Sequence, residues 1–302
     1  MTLPARPFTL AELPALGLTE RTLRTQVASG EVRRILRGVY GVAALDDSLE
    51  NRIAAAALVT NPGHVVIDRS AAWLHGVDAF GGAELEAGPA VETCALPLGH
   101  RAQRDGVRGH ERSLSADDIL ALGPVRVTTP LRTALDLGCH LRRREAYAAM
   151  CELARLHELT VSALTHELPR FAGRRGVVQL RQLAPLVDSR FESPREAWTF
   201  LAIHDAGLPH PVPQFWIAVD GVPTYRLDLA YPLARVCVEY DGVEAHDSEE
   251  QRRADRERRA WLREHGWTVI LVRLGGFTGD ALDTWLRELR GALATPYSSR
   301  RW

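Results

Sequence analysis

Two carboxylates stand two residues apart in the stretch VCVEYDGVEAH, residues 236–246, as Glu239 and Asp241. Val236, Val238 and Tyr240 alternate with them, which predicts a half-buried β-strand. Side chains alternate across a strand that rises about 3.3 Å per residue, so Glu239, Asp241 and Cys237 share a face, the two acids about 6.6 Å apart. The preceding run YRLDLAY carries Asp228 on the opposite side of its strand from Leu227 and Leu229. If the two runs pair in register as a hairpin, Asp228 sits across from the Glu239–Asp241 face. Three carboxylates held together repel, and partial burial raises their pKa. A hard divalent cation removes that conflict, because Mg2+ takes oxygen ligands and few of them from protein. Each acid taken singly also has a plain structural use: Glu239 and Asp241 as the wet face of a strand, Asp241-Gly242 as a turn.

The elements that must position these acids can be read around them. Ser193, Pro194 and Glu196 fit a helix start with a capping box and proline in the first turn, and Gly207 closes that helix. Glu196 therefore has a cap role and a site role open to it. A Pro-containing turn joins the two strands. Ser248 then caps the charged helix EEQRRADRERRAWLREH, stopped by Gly266, and the strand WTVILVRL leads into a helix near 280–294. Helix, β-hairpin, helix, strand is an α/β order in which the last strand joins the hairpin in a mixed sheet.

Residues 191–275 resemble the PD-(D/E)XK nucleases, and more closely the very-short-patch-repair-like endonuclease domains. The resemblance rests on SPREAWTFLAIHDAGLPHPVPQ, RLDLAYPLARVCVEYDGVEAH and the spaced set Asp255, Arg258, Leu262, Gly266, Trp267 and Arg273. It implies a restriction-endonuclease-like domain over 189–302 that hydrolyses DNA phosphodiester bonds with Mg2+ or Mn2+. Asp228 would bind the metal, and Glu239 would be a further ligand or hold a metal-bound water. Glu196 would be an auxiliary acid. His246, matching the catalytic histidine, would be general acid or base, as its ordinary pKa allows. Arg258, Arg259 and Arg273 would hold phosphate. Many members place lysine two residues after the glutamate, where this chain has Asp241. An aspartate cannot stabilise transition-state charge as an ammonium does, so either His246 and a nearby arginine supply that help at the Asp241 site or the site is weakened.

The first 48 residues are punctuated like a small helical module. Thr9 with Glu12 reads as a capping box for a short helix ended by Gly17, and Thr19 caps a second, ERTLRTQVAS, with Leu23 and Val27 inward. Arg21 and Thr25 point outward, with Arg24 on the flank. EVRRILRGVYGV follows, two β-rich runs joined at Arg37-Gly38 and carrying Arg33 and Arg34. Helix, turn, helix and basic hairpin outline a winged helix-turn-helix. Residues 20–44 hold five arginines against two glutamates, a local surplus suited to DNA phosphate. FTLAELPALGLTERTLRTQVASGEVRRILRGVY resembles the N-terminal domain of AbiEi-type abortive-infection antitoxins, with weaker echoes in RSAAWLHG and VTTPLRTALDLG across the mixed α/β middle segment, 49–188. That resemblance implies DNA as a ligand and a toxin protein as a partner. It also implies the rival to the nuclease reading, an antitoxin or transcriptional repressor whose nuclease fold is a scaffold.

Composition restrains these readings. All 37 basic residues are arginine, beside abundant Ala, Gly and Pro, as codon bias in a GC-rich genome produces, so only arginine position is informative. The net charge of −1 leaves any DNA contact to local patches. No apolar run approaches the roughly 18 residues of a membrane span. No secretory signal opens the chain, and the four scattered cysteines read as reduced core residues, so a cytoplasmic protein is expected. His64, His75, His100 and His110 lack metal-ligand spacing. Oligomeric state has no signature here.

Overall fold

The computed structural model describes residues 3–96, 106–242 and 249–294. The chain divides into two compact units, Met1–Leu141 with Leu156–Leu186, and Arg142–Arg155 with Val187–Trp302. The mixed α/β, multidomain class expected above is the class observed.

The first unit opens with β1 (Phe8–Thr9), a 3-10 turn over Leu10–Glu12, α1 (Glu20–Ala28), β2 (Val32–Leu36) and β3 (Val39–Val42). The short helix expected after Thr9 is that 3-10 turn: Pro14 lacks the N–H an α-helix would need, and Gly17 ends the segment. Thr19 caps α1 by accepting the Thr22 N–H at 3.1 Å. The strands form an antiparallel sheet in the order β1-β3-β2, closed by Phe8, Leu13, Leu18, Leu23 and Val32. The other face of the hairpin gives Ile35, Leu36 and Val39 to the next core in the chain. Its tip is docked there as well, the Arg37 N–H donating to Pro89 O at 2.9 Å.

That next core is built by α2 (Leu49–Ala57), β4 (His64–Val66), α3 (Asp68–Leu74), α4 (Gly82–Ala87), β5 (Val91–Ala95), β6 (Val107–His110), β7 (Ile119–Leu122), β8 (Val125–Thr128) and α5 (Pro130–His140). The sheet order is β6-β5-β4-β8-β7, parallel at β5–β6 and β4–β8 and antiparallel elsewhere. After α6 (Arg143–His157), α7 (Val161–His166) and α8 (Val177–Leu183) complete the unit. Gly176 opens α8 with φ of 82°, and a Cβ there would lie 2.0 Å from the Cys139 carbonyl oxygen at the end of α5. Both constraints demand glycine. Gly176→Ala should lower stability by about 2 kcal/mol, read as a lower first-unit transition in thermal circular dichroism; an unchanged midpoint would refute the close approach.

In the second unit, α6 brings Tyr147 against Phe191 and Phe200, with ring centroids 6.3 and 6.1 Å away. Then come α9 (Pro194–Asp205), β9 (Val212–Val219), β10 (Val222–Tyr231), β11 (Val236–Tyr240), α10 (Glu249–Glu264), β12 (Thr268–Val272) and α11 (Gly279–Ala294). The sheet runs β12-β11-β10-β9, with β11–β12 parallel and the rest antiparallel. The expected order is present, with β9 as an added strand. All four cysteines are free and buried, as expected.

Candidate functional site

The acidic strand is built as its alternation predicts. Leu229 lies opposite Val238 and Ala230 opposite Cys237, so one further step sets Asp228 opposite Glu239. Asp228 Oδ2 accepts the Tyr240 N–H at 3.1 Å. Glu239 is 2% exposed, and the reason it can be buried is on α10. Leu262 anchors that helix among Leu227, Ala230, Cys237 and Trp267. One turn earlier on the same face, Arg258 grips both Glu239 oxygens at 2.6 and 3.0 Å. Arg259 donates to Asp241 at 2.9 Å, and exposed Arg273 stands 3.6 Å from the same carboxylate.

Glu196 is buried and makes the cap that its position predicts. Ser193 Oγ accepts the Glu196 N–H, while the Glu196 carboxylate accepts from Ser193 Oγ at 2.8 Å, the Glu192 N–H at 3.0 Å and Gln214 Nε2 at 2.6 Å. Its charge still reaches Asp228. Burial, then the neighbouring Glu196 and Glu239, push the Asp228 carboxyl up to about 7, against the pull of the Tyr240 N–H and Arg258. The structure thus gathers Asp228, Glu239 and Glu196, with Asp241 at the strand's end. It assigns Arg258 and Arg259 to these acids instead of leaving them open for phosphate. Among the described residues no three acids, histidines or cysteines converge as a metal site requires. Both oxygens of Glu196 and Glu239 already accept hydrogen bonds, so the set as placed does not fit a divalent cation. His246 lies outside the described residues, as do His100 and Ser248.

On the N-terminal module, Arg21, Arg24 and Thr25 are exposed along α1, with Arg24 3.7 Å from Glu20. Arg34 and Arg37 are exposed on the hairpin. Arg33 is half-buried and donates to the Leu45 carbonyl at 3.0 Å, an intramolecular use for one of the expected DNA contacts.

Sequence reasoning missed a buried charge network in the first unit. Arg132 on α5 is 2% exposed and donates to Asp136 and Asp118, each at 2.8 Å, and to Ser113 O at 3.1 Å. Arg170 adds a second cation to Asp118 at 2.7 Å. Nearby, Asp68 at φ 51° pairs with Arg112 at 2.7 Å. His75 is a satisfied core histidine: Nε2 lies 2.7 Å from the Thr128 carbonyl, and burial lowers it to about 4. The available signal was TPLRTALDLG itself, a helix apolar on nearly every side. Charges inside such a helix must be paired.

Comparison with known proteins gives this arrangement a class. Residues 5–43 match the family model described as a transcriptional regulator, AbiEi antitoxin, and residues 64–189 match the AbiEi antitoxin C-terminal domain. These matches fall on the first unit, with its winged hairpin and five-stranded sheet but without residues 44–63 and their helix α2, and on α6. Two Mycobacterium tuberculosis proteins, uncharacterized proteins MT2308 and Rv2248, are each 30% identical over 256 residues, covering 84% of this chain and 90% of the relative. The chain belongs to the family of these mycobacterial proteins and carries AbiEi-type antitoxin domains. No helix among the described residues is long and apolar enough to cross a membrane.

Proposed function

We propose that the chain is a DNA-binding transcriptional regulator of the AbiEi antitoxin type, acting with a toxin protein as its partner. The observation that carries this reading is the exposed basic face of the winged module, Arg21, Arg24, Thr25 and Arg34, within a segment matching a regulator family. Such a face binds phosphate by releasing condensed counterions, so affinity falls as salt rises. Arg37 contributes its exposed side chain, while its backbone fixes the hairpin to the rest of the unit. The expected outcome is that replacing Arg21, Arg24 and Arg34 with alanine makes the slope of log affinity against log salt shallower by about 1 per arginine. Fluorescence anisotropy on a labelled duplex measures it. An unchanged slope would remove α1 and the hairpin from DNA binding.

One observation favours a second reading, a Mg2+- or Mn2+-dependent endonuclease in the second unit. Burial, with Glu196 and Glu239 as neighbouring charges, pushes the Asp228 carboxyl up to about 7, and a cation would relieve the part that comes from the neighbouring acids. This reading requires Arg258 to leave Glu239. It makes the antitoxin-like half a targeting module for cleavage instead of a repressor.

A further inference from the structure

The first unit holds a cavity of about 320 Å³ between the end of α5, the strand-end segment 111–113 and the turn before α8. That is within the size range of small-molecule sites. Arg112, His140, Phe171, Arg174 and Arg175 line it, with Asp136 in its floor and Glu111 on its exposed rim.

The cations of this wall are not balanced by its acids. Arg132 and Asp136 satisfy each other at 2.8 Å. Arg112 is spent on Asp68, and His140 stands 3.6 Å from the same carboxylate. Arg174 and Arg175 have no carboxylate within ion-pair range among the described residues. Arg174 instead lies over the Phe171 ring at 4.5 Å, and Arg132 lies over the same ring at 5.3 Å. Burial and then the repulsion of Arg132 hold the Arg174 guanidinium below its ordinary range. A desolvated cation without a counter-charge is costly, and its cost falls when an anion arrives. Two further donors wait beside it: Arg112 Nε and Arg132 Nη2 are both buried without a hydrogen-bond partner. Arg132 is almost wholly buried and shares Phe171 and Asp136 with the cavity wall. The Gly176–Cys139 contact, and Gln179 donating to the Gly138 and Leu141 carbonyls at 2.8 and 3.0 Å, fix the segment that carries Arg174 and Arg175.

We propose that this cavity binds the phosphate group of a small ligand, with Arg174 and Arg175 as its principal cations and Arg112 as a further donor. Guanidinium forks match tetrahedral oxyanions, and a cavity of about 320 Å³ suits a small anion better than a phosphate within a duplex backbone. The site is independent of the DNA face on α1. It would give a regulator a signal to read.

The test is thermal unfolding of the full chain with orthophosphate, with adenosine monophosphate, and with sodium chloride at matched ionic strength. Either phosphate should raise the first-unit transition by on the order of 2–4 °C beyond chloride. A larger rise with the nucleotide assigns the natural ligand to nucleotides, and a larger rise with orthophosphate assigns it to the free ion. Arg174→Gln should abolish the response while melting no lower than wild type without ligand, since it removes an unpaired cation. Arg175→Glu should weaken the response, and Arg126→Gln, an exposed arginine on β8, should leave it intact. No rise beyond chloride, or an undiminished rise in both Arg174→Gln and Arg175→Glu, overturns the proposal. So does a response to duplex DNA alone.

Discussion

Arg132→Met should cost the first unit about 3–5 kcal/mol, the scale expected when one partner of a buried ion pair is removed. Methionine keeps much of the length and the contact with Phe171, so the loss is one of charge. Asp118 keeps Arg170 and the Ser115 N–H and hydroxyl. Asp136 loses the one cation that hydrogen-bonds it among the described residues, keeps only the weaker pull of Arg112, and burial already raises its carboxyl. It must take up a proton or stay as an uncompensated buried anion. The double variant Arg132→Met with Asp136→Leu should recover much of the loss, because an apolar pair in this site no longer carries a desolvated charge. Urea unfolding measures both, and the transition to follow is that of the first unit, since the chain has two units and need not unfold in one step. A single variant within about 1 kcal/mol of wild type, or a double variant no better than the single, would show that the network is not what holds α5 in place.

Much of the second unit was legible because its signals are local. The cap at Ser193, the glycine stops and the alternation through Val236–Tyr240 each act within a few residues. Phase put Asp228 and Glu239 on one face if the two runs paired as a hairpin, and the pairing observed sets them opposite each other. What phase could not give is the partner across the face. Arg258 and Glu239 are nineteen residues apart, and only the docking of α10 through Leu262 brings them together, turning two expected site groups into a mutual pair. The β9 strand was overlooked although its signal was present. Asp220-Gly221 between alternating apolar runs is hairpin-turn chemistry, and both residues take positive φ, 50° and 80°. Helix α6 shows the opposite case. Its residues up to Arg155 group with the second unit through Tyr147, Phe191 and Phe200, a contact spanning more than forty residues that no local pattern announces.

Asp228→Asn should melt above wild type at pH 8 and with it near pH 4. The sign follows from burial and from Glu196 and Glu239, which lift the folded carboxyl to about 7, whereas an unfolded aspartate titrates at about 4. Below about pH 4 the group is protonated in both states and costs nothing. As pH rises from about 4 to about 7, the unfolded chain gives up its proton while the folded chain keeps it, so stability falls; above about 7 the full cost is present. Asparagine removes that cost, and its amide oxygen can still accept the Tyr240 N–H. The difference at pH 8 is bounded by the size of the shift, about 4 kcal/mol. A variant that melts below wild type at pH 8, or a gap that does not close toward pH 4, would show that Asp228 does not sit in a buried acid cluster. Repeating the curves with Mg2+ separates the two functional readings. A regulator whose Glu239 is held by Arg258 should gain nothing specific from Mg2+. An endonuclease should gain stability through linkage of binding to folding, and should lose that gain together with cleavage in Asp228→Asn. Equal responses in the two proteins would leave Arg258, and no metal, as the cation of the acidic strand.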